Sequence, residues 1–245
     1  MRRIWLMVLK NILRVPYWYL KLCFYAKNRD RISDQKKLAL FKKIVFYANQ
    51  GGNVTVRSFG IEHLPKDQSF MYFPNHQGLY DVLALLDGSP DFFSVVMKKE
   101  LEHLPFLNKI FQIMEAYSMD REDVRQAMKV IGKVSEEVSK GKNFLIFPEG
   151  TRSKNQNAVG EFKGGSFKCA TKARCPIVPV AITDSYKVFD TGSIKPVTVT
   201  VQYLEPLYYE DYKMMKTNEI AELVEKRIQE SIRKMKKMVD NSFHF

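Results

Sequence analysis

The sequence predicts an α/β domain, with a largely parallel central sheet flanked by helices, preceded by an N-terminal basic amphipathic helical hairpin. Three observations predict it. Short apolar runs bounded by turn residues alternate with longer segments of helical apolar spacing, the pattern of strands joined by crossover helices. Polar residues cluster just after the strand-like runs, where open α/β sheets keep their sites. Charge is uneven: residues 1–50 hold twelve Lys or Arg against Asp30 and Asp34, a surplus of +10, while the whole 245-residue chain carries +12. A basic arm, residues 1–50, therefore precedes a nearly neutral body, residues 51–245.

In the arm, residues 4–26 are apolar and aromatic, with Arg3, Lys10, Arg14 and Lys21 at steps of 7, 4 and 7. That spacing lines the charges along one side of a helix, which Pro16 kinks or splits. No run of about 20 uncharged apolar residues exists, so a spanning helix is not expected. The broken apolar run without a small-residue cleavage site also makes a poor signal peptide. Trp and Tyr among aliphatics, with cations on one face, describe a helix lying in a membrane interface. A second helix is expected from Ser33 to Asn49. Leu38, Phe41, Ile44, Val45 and Ala48 form its apolar side, and Lys36, Lys37, Lys42 and Lys43 the other. Each cation near an anionic leaflet contributes about 1 kcal/mol of attraction. The alternative is that both helices pack on the body as an ordinary hairpin. Nucleic acid is not the expected partner, because the aromatics sit among aliphatics rather than on a polar strand. Gly51-Gly52 ends the arm.

In the body, strands are expected at Val54–Phe59, Ser69–Phe73, Phe92–Met97, Tyr117–Met119, Asn143–Phe147, Ile177–Ile182 and Val197–Tyr203. Helices are expected from Asp81, over residues 105–115, from Glu122 to Lys140 with Gly141 as its stop, from Lys163 to Lys172, and from Asn218 to Met238. Cys23, Cys169 and Cys175 are odd in number and include no C-x-x-C, which suits reduced thiols in a cytosolic setting. No metal-ligand spacing, Walker A loop, G-x-G-x-x-G or G-x-S-x-G occurs, so no metal and no cofactor is expected.

Three post-strand loops carry chemistry. His76 lies on the turn after Ser69–Phe73, and Asp81 lies in the first turn of the following helix. Within one helix a step of five points about 140° away, but across a turn the two side chains can meet. A carboxylate on one imidazole nitrogen fixes the tautomer and leaves the other nitrogen free to take a proton. The plainer alternative is that Asp81 caps its helix and His76 is a surface histidine. Lys98-Lys99 with Asp120-Arg121, and Glu149 to Ser153, form the other two clusters. Convergence of one base and several cations suits a substrate with a hydroxyl to activate and a phosphate to hold. Taken singly, each cation is a solvated surface charge and Gly150-Thr151-Arg152 a plain turn.

Four blocks resemble those of the glycerolipid acyltransferases. They are His76-x4-Asp81, Lys98-Lys99-Glu100-Leu101 with Asp120-Arg121, Phe147-Pro-Glu-Gly-Thr-Arg-Ser153, and Ile177-Val-Pro-Val180. More narrowly, the chain is similar to bacterial 1-acylglycerol-3-phosphate acyltransferases over roughly residues 54–205. It departs in the second block, where the family often has a Gly a few residues before Asp-Arg and this chain has Glu115 and Ser118. The resemblance implies that His76, oriented by Asp81, deprotonates the glycerol 2-hydroxyl, which attacks an acyl thioester carried by coenzyme A or acyl carrier protein. Lys98, Arg152 and Arg121 would hold the acceptor phosphate. Glu149 would contact the acceptor or orient Arg152. Gly150, Thr151 and the turn after His76 would supply oxyanion donors. The implied product is phosphatidic acid, made from lysophosphatidic acid at an anionic phospholipid membrane. The protein would be peripheral or monotopic on the cytoplasmic face of the cell membrane. Glycerol 3-phosphate or another lysolipid as acceptor, a thioesterase using water, and a non-catalytic membrane-surface protein are the competing readings.

Overall fold

The computed structural model describes residues 2–99, 105–120, 123–153 and 155–242. The arm forms three helices: α1 (Arg2–Lys10), α2 (Val15–Lys27) and α3 (Asp34–Gly52). The long aromatic segment breaks at a tight turn over residues 11–14. Pro16 sits in the first turn of α2, where its missing N–H costs nothing. Gly51-Gly52 ends the arm, but from inside a helix. Both belong to α3, which stops at Asn53 with φ of 55°. They are small because α1 crosses there: a Cβ on Gly51 would lie 2.8 Å from Asn11 Nδ2 and 3.3 Å from Met7 Cα, and one on Gly52 would overlap the Met7 side chain.

The body follows in chain order. It comprises β1 (Val54–Phe59), β2 (Met71–Pro74), α4 (Asp81–Gly88), β3 (Ser94–Lys98), α5 (Pro105–Ile113), β4 (Tyr117–Met119) and α6 (Val124–Ser139). Then come β5 (Phe144–Leu145), α7 (Lys168–Ala173), β6 (Ile177–Thr183), α8 (Tyr186–Phe189), β7 (Val197–Tyr203), α9 (Tyr209–Tyr212) and α10 (Thr217–Ser242). The seven-stranded sheet has the order β1-β7-β6-β2-β5-β3-β4 and is parallel except at the β6–β7 seam. There Val180 faces Tyr203 and Thr183 faces Thr200. Because β7 runs against β6 and β1 runs with β7, the starts of β1 and β7 share an edge with the carboxyl ends of the other strands. Central β2 and β6 are buried at every position, as strands covered on both faces must be.

Alternation along the strands divides the core into two layers. On one face Tyr72, Leu145, Val178 and Val180 meet α4 and the arm, which contributes Met7, Trp18, Leu22, Phe41 and Val45. On the other, Phe73, Phe144 and Ala181 meet Val134, Phe167, Val224 and Ile228 from α6, the turn before α7, and α10. The arm is thus part of the core rather than an appendage.

Two cations assigned by spacing to the solvent side of the arm are turned inward. Lys37 is 3% exposed, and its ammonium meets Glu115 at 2.8 Å and Asp34 at 3.0 Å. Arg3 is 1% exposed and is held by backbone carbonyls. Beside exposed cations such as Lys10, Arg14, Lys36 and Lys43, the arm exposes apolar side chains: Trp5, Leu9, Ile12, Leu13 (91% exposed), Leu20 and Phe24. Among the described residues no helix is long and apolar enough to cross a membrane. Glu115 has φ of 53°, a left-handed backbone that glycine adopts most readily. It keeps that glycine-like backbone while its carboxylate joins Lys37 to Lys142, the latter at 2.6 Å.

Candidate active site

β2 ends at Pro74, which cannot donate to the sheet, and Asn75 takes over the pairing with β6. Its side chain donates to Ile182 O at 3.0 Å and accepts from Ile182 N at 2.8 Å. The chain then turns through His76, Gln77 and Gly78 before α4 begins at Asp81. A Cβ at Gly78 would come 2.6 Å from Asp190 Oδ2 and 3.5 Å from Tyr186 Cα, so α8 and its flanks close tightly over this turn.

Asp81 is fully buried. Its Oδ2 accepts from the backbone N–H of Gln77 at 2.7 Å and of Gly78 at 3.0 Å, satisfying two buried donors of the turn that leads into α4. The same oxygen lies 2.7 Å from His76 Nδ1. Asp81 thus orients His76 and pins the turn before α4 rather than capping the helix, which has no side-chain cap. Nδ1 therefore carries the proton, and Nε2 has no hydrogen-bond partner among the described residues. The ring stacks on Phe147 (centroids 3.9 Å, planes 20° apart), which fixes its tilt. Its side chain is 17% exposed, enough to meet a substrate.

The Phe147–Ser153 turn brings the second carboxylate. Glu149 is 5% exposed, and its Oε1 accepts from the His76 backbone N–H at 2.8 Å. Burial pushes its pKa up to about 7, against the pull of hydrogen bonds from the amides of His76 and Gly160. Gly160 is required here, since a Cβ would lie 2.6 Å from Glu149 Oε2. Gly150 turns the chain at φ of 72°. The Ser153 amide donates to His76 O at 2.8 Å, strapping this turn to the histidine loop.

The expected residues fall as follows. Glu149 is directed at the His76 and Gly160 backbone rather than at Arg152, whose guanidinium lies 4.0 Å from Asp190. Arg152 and Thr151 are exposed at the same edge as His76. Lys98 is exposed at the end of β3, with β5 between β3 and β2. Lys99 pairs with Asp120 at 3.7 Å. Arg121 lies outside the described residues. In the turn after His76, Asp81 occupies the Gln77 and Gly78 amides. The Gly150 amide is engaged by Phe147 O, whereas the Thr151 and Arg152 amides have no partner among the described residues.

The sequence reading missed the support contributed by the loop after β6. Ser185, fully buried, donates its hydroxyl to Asp81 Oδ1, and both its amide and its hydroxyl lie 3.1 Å from Gln77 Oε1. Asn157 receives a hydrogen bond from Gln77 Nε2 at 2.8 Å and exchanges two with Asp184, which sits at φ of 65°. The available signal was positional: Asp184-Ser185 follows a buried parallel strand, as do the other three clusters.

Known proteins match this arrangement. Residues 55–183 fit the family model described as Acyltransferase. A 1-acyl-sn-glycerol-3-phosphate acyltransferase of Saccharomyces cerevisiae is 31% identical over 189 residues, covering 74% of this chain and 60% of the yeast protein. The Cocos nucifera and Helicobacter pylori proteins of that name are 29% and 27% identical, with 51% and 62% of their lengths covered. The chain thus spans about half to three fifths of these relatives. The crystal structure of the 1-acyl-sn-glycerophosphate (LPA) acyltransferase PlsC of Thermotoga maritima superposes with a TM-score of 0.77 at 25% identity, covering 96% of this chain and 98% of that one. With the matched residues running from β1 to the end of β6, and His76 paired to Asp81 between them, the chain belongs to the acyltransferase family.

Proposed function

We propose that this chain transfers an acyl group from an acyl thioester to the 2-hydroxyl of 1-acyl-sn-glycerol 3-phosphate, giving phosphatidic acid. The observation that carries the reading is His76: its Nδ1 is bonded to buried Asp81 and its Nε2 is left open at the carboxyl edge of the sheet. The names of the relatives supply the substrate.

In this reading Nε2 takes the proton of the acceptor hydroxyl as its oxygen attacks the thioester carbonyl. The Thr151 and Arg152 amides stabilise the resulting oxyanion. Collapse expels the thiolate, which takes the proton back from the imidazolium. Arg152, Lys98 and Arg121 hold the acceptor phosphate, Arg by its planar fork and Lys as a point charge. Transfer is direct. The two buried thiols, Cys169 and Cys175, are pushed up by burial to about 12, and Ser185 is sealed against Asp81. The donor is acyl-coenzyme A or acyl carrier protein. The exposed Trp5, Leu9, Leu13 and Leu20 of the arm favour a membrane interface, with the protein peripheral on the cytoplasmic face.

The test is thiol release from an acyl thioester by purified protein in detergent, with and without 1-acylglycerol 3-phosphate, for wild type and His76→Ala. Release that needs both acceptor and His76 supports the reading. Acceptor-independent release identifies a thioesterase and overturns it.

A further inference from the structure

Arg3 is buried far more deeply than a cation of a surface arm needs to be. Its Nε donates to Val188 O at 3.0 Å, its Nη2 to Lys195 O at 2.8 Å, and its Nη1 to Gly52 O and Asn53 O. These carbonyls belong to α8, the lead into β7, and the end of α3. No carboxylate pairs with Arg3 among the described residues; the partial negative charge at the α3 terminus faces it instead. A guanidinium is costly to bury, and an apolar side chain of similar volume would fill the space without that penalty. What an apolar side chain could not do is bridge three segments of backbone.

The bridged segment that matters is α8. It has four residues, too few to hold its place by its own hydrogen bonds. Ser185, immediately before it, donates to Asp81. Asp190, immediately after it, faces Arg152 and packs over Gly78. Val188 and Phe189 anchor it by packing, Phe189 against Tyr80 at 5.5 Å. To this packing the Arg3 hydrogen bond at Val188 O adds a tie from α8 to the arm.

We propose that Arg3 is a positioning residue for the catalytic pair. By holding Val188 it sets α8, and through α8 it seats Ser185 on Asp81, so the geometry of His76 depends on α1 being docked. The inference rests on the reading of His76 as base and Asp81 as its orienter.

The test is a double-mutant cycle with Arg3→Met and Ser185→Ala, read as kcat of acyl transfer in detergent at saturating substrates. Melting temperature and the 1H resonance of His76 Nδ1–H in substrate-free protein are recorded alongside. Met keeps the volume and removes the donors. Expected is a loss of about tenfold in kcat for each single variant, with the double variant little worse than Ser185→Ala alone, because the two act through one path. The Nδ1–H resonance should move in the same direction in both single variants. Arg3→Lys, which keeps the charge but cannot reach three segments, should not restore kcat. Kinetic losses that multiply to about a hundredfold, or a fall in melting temperature with kcat and resonance unmoved, would overturn the proposal. If wild type shows no transfer but the resonance still shifts in Arg3→Met, the proposed reaction is wrong and the positioning role survives.

Discussion

The backbone N–H of His76 donates to Glu149 Oε1 at 2.8 Å, so the histidine is held by two carboxylates, Asp81 on its ring and Glu149 on its main chain. They differ in their donors. Asp81 accepts from His76, two amides and a hydroxyl. Glu149, buried with two amides and with the charge of Asp81 nearby, is pushed up to about 7.

That shift makes stability fall with rising pH. Between the ordinary carboxylate value of 4.5 and about 7 the folded protein holds a proton on Glu149 that the unfolded chain has released. The contribution is complete below 4.5 and is lost as pH rises through 7. Glu149→Gln removes the titration. Urea midpoints from pH 5 to 8 should therefore move in favour of the variant relative to wild type, and parallel profiles would refute the assignment.

Asp81→Asn keeps the size of the side chain and loses the acceptor that fixes His76. An amide can turn its NH2 toward Nδ1 and select the wrong tautomer, so kcat should fall about 10³- to 10⁴-fold, on the scale seen for catalytic triads. Thiol-release kinetics under saturating acceptor would check this. A loss below tenfold would remove Asp81 from the mechanism.

Glu115→Ala should destabilise by about 3 kcal/mol, because buried Lys37 is left with Asp34 alone. Burial would raise the pKa of Glu115, but hydrogen bonds from Lys142 and Lys37 outweigh it and hold the carboxyl below its ordinary value. Its contribution is therefore present above pH 4.5 and lost as pH falls through and below that value. The gap between wild type and variant in a denaturation series should narrow toward pH 3; a constant gap would contradict the ion-pair account.

Deleting residues 1–50 is not a clean test of membrane binding, since it strips Leu22, Phe41 and Val45 from the core. Leu13→Asp with Leu20→Asp changes side chains that are 91% and 69% exposed. Melting temperature should stay constant while co-sedimentation with anionic vesicles drops by tenfold or more, given about 1.5–3 kcal/mol for each buried leucine. Residual binding should come from Lys10 and Arg14 and weaken with salt. Binding unchanged in the double variant would dismiss the arm as the contact.

Strands were the most legible part of the fold. Val54–Phe59, Tyr117–Met119 and Val197–Tyr203 fall where the apolar runs put them, each with a turn residue (Asn53 and Gly60, Asp120, Pro196) at one end or both. Short α8 and α9 were not foreseen, since four residues give too little periodicity to register. Gly51-Gly52 marks a helix crossing, which no local pattern separates from a turn. His76 and Asp81 were legible because five residues across a turn are a local matter. Ser185 on Asp81 and Arg3 on Val188 join positions 104 and 185 apart, and only the closed sheet brings them together.

The single reversed seam, β6 against β7, makes the molecule one-sided. Had β7 run with β6, β1 would begin at the far pole and α3 would finish there, carrying Arg3 and the start of α1 away from His76. Reversal brings the end of α3, the start of α1 and the open imidazole nitrogen to one pole, while the Lys37–Glu115–Lys142 cluster sits at the other. The chain's first helix is thereby latched beside the loop that carries the reactive nitrogen.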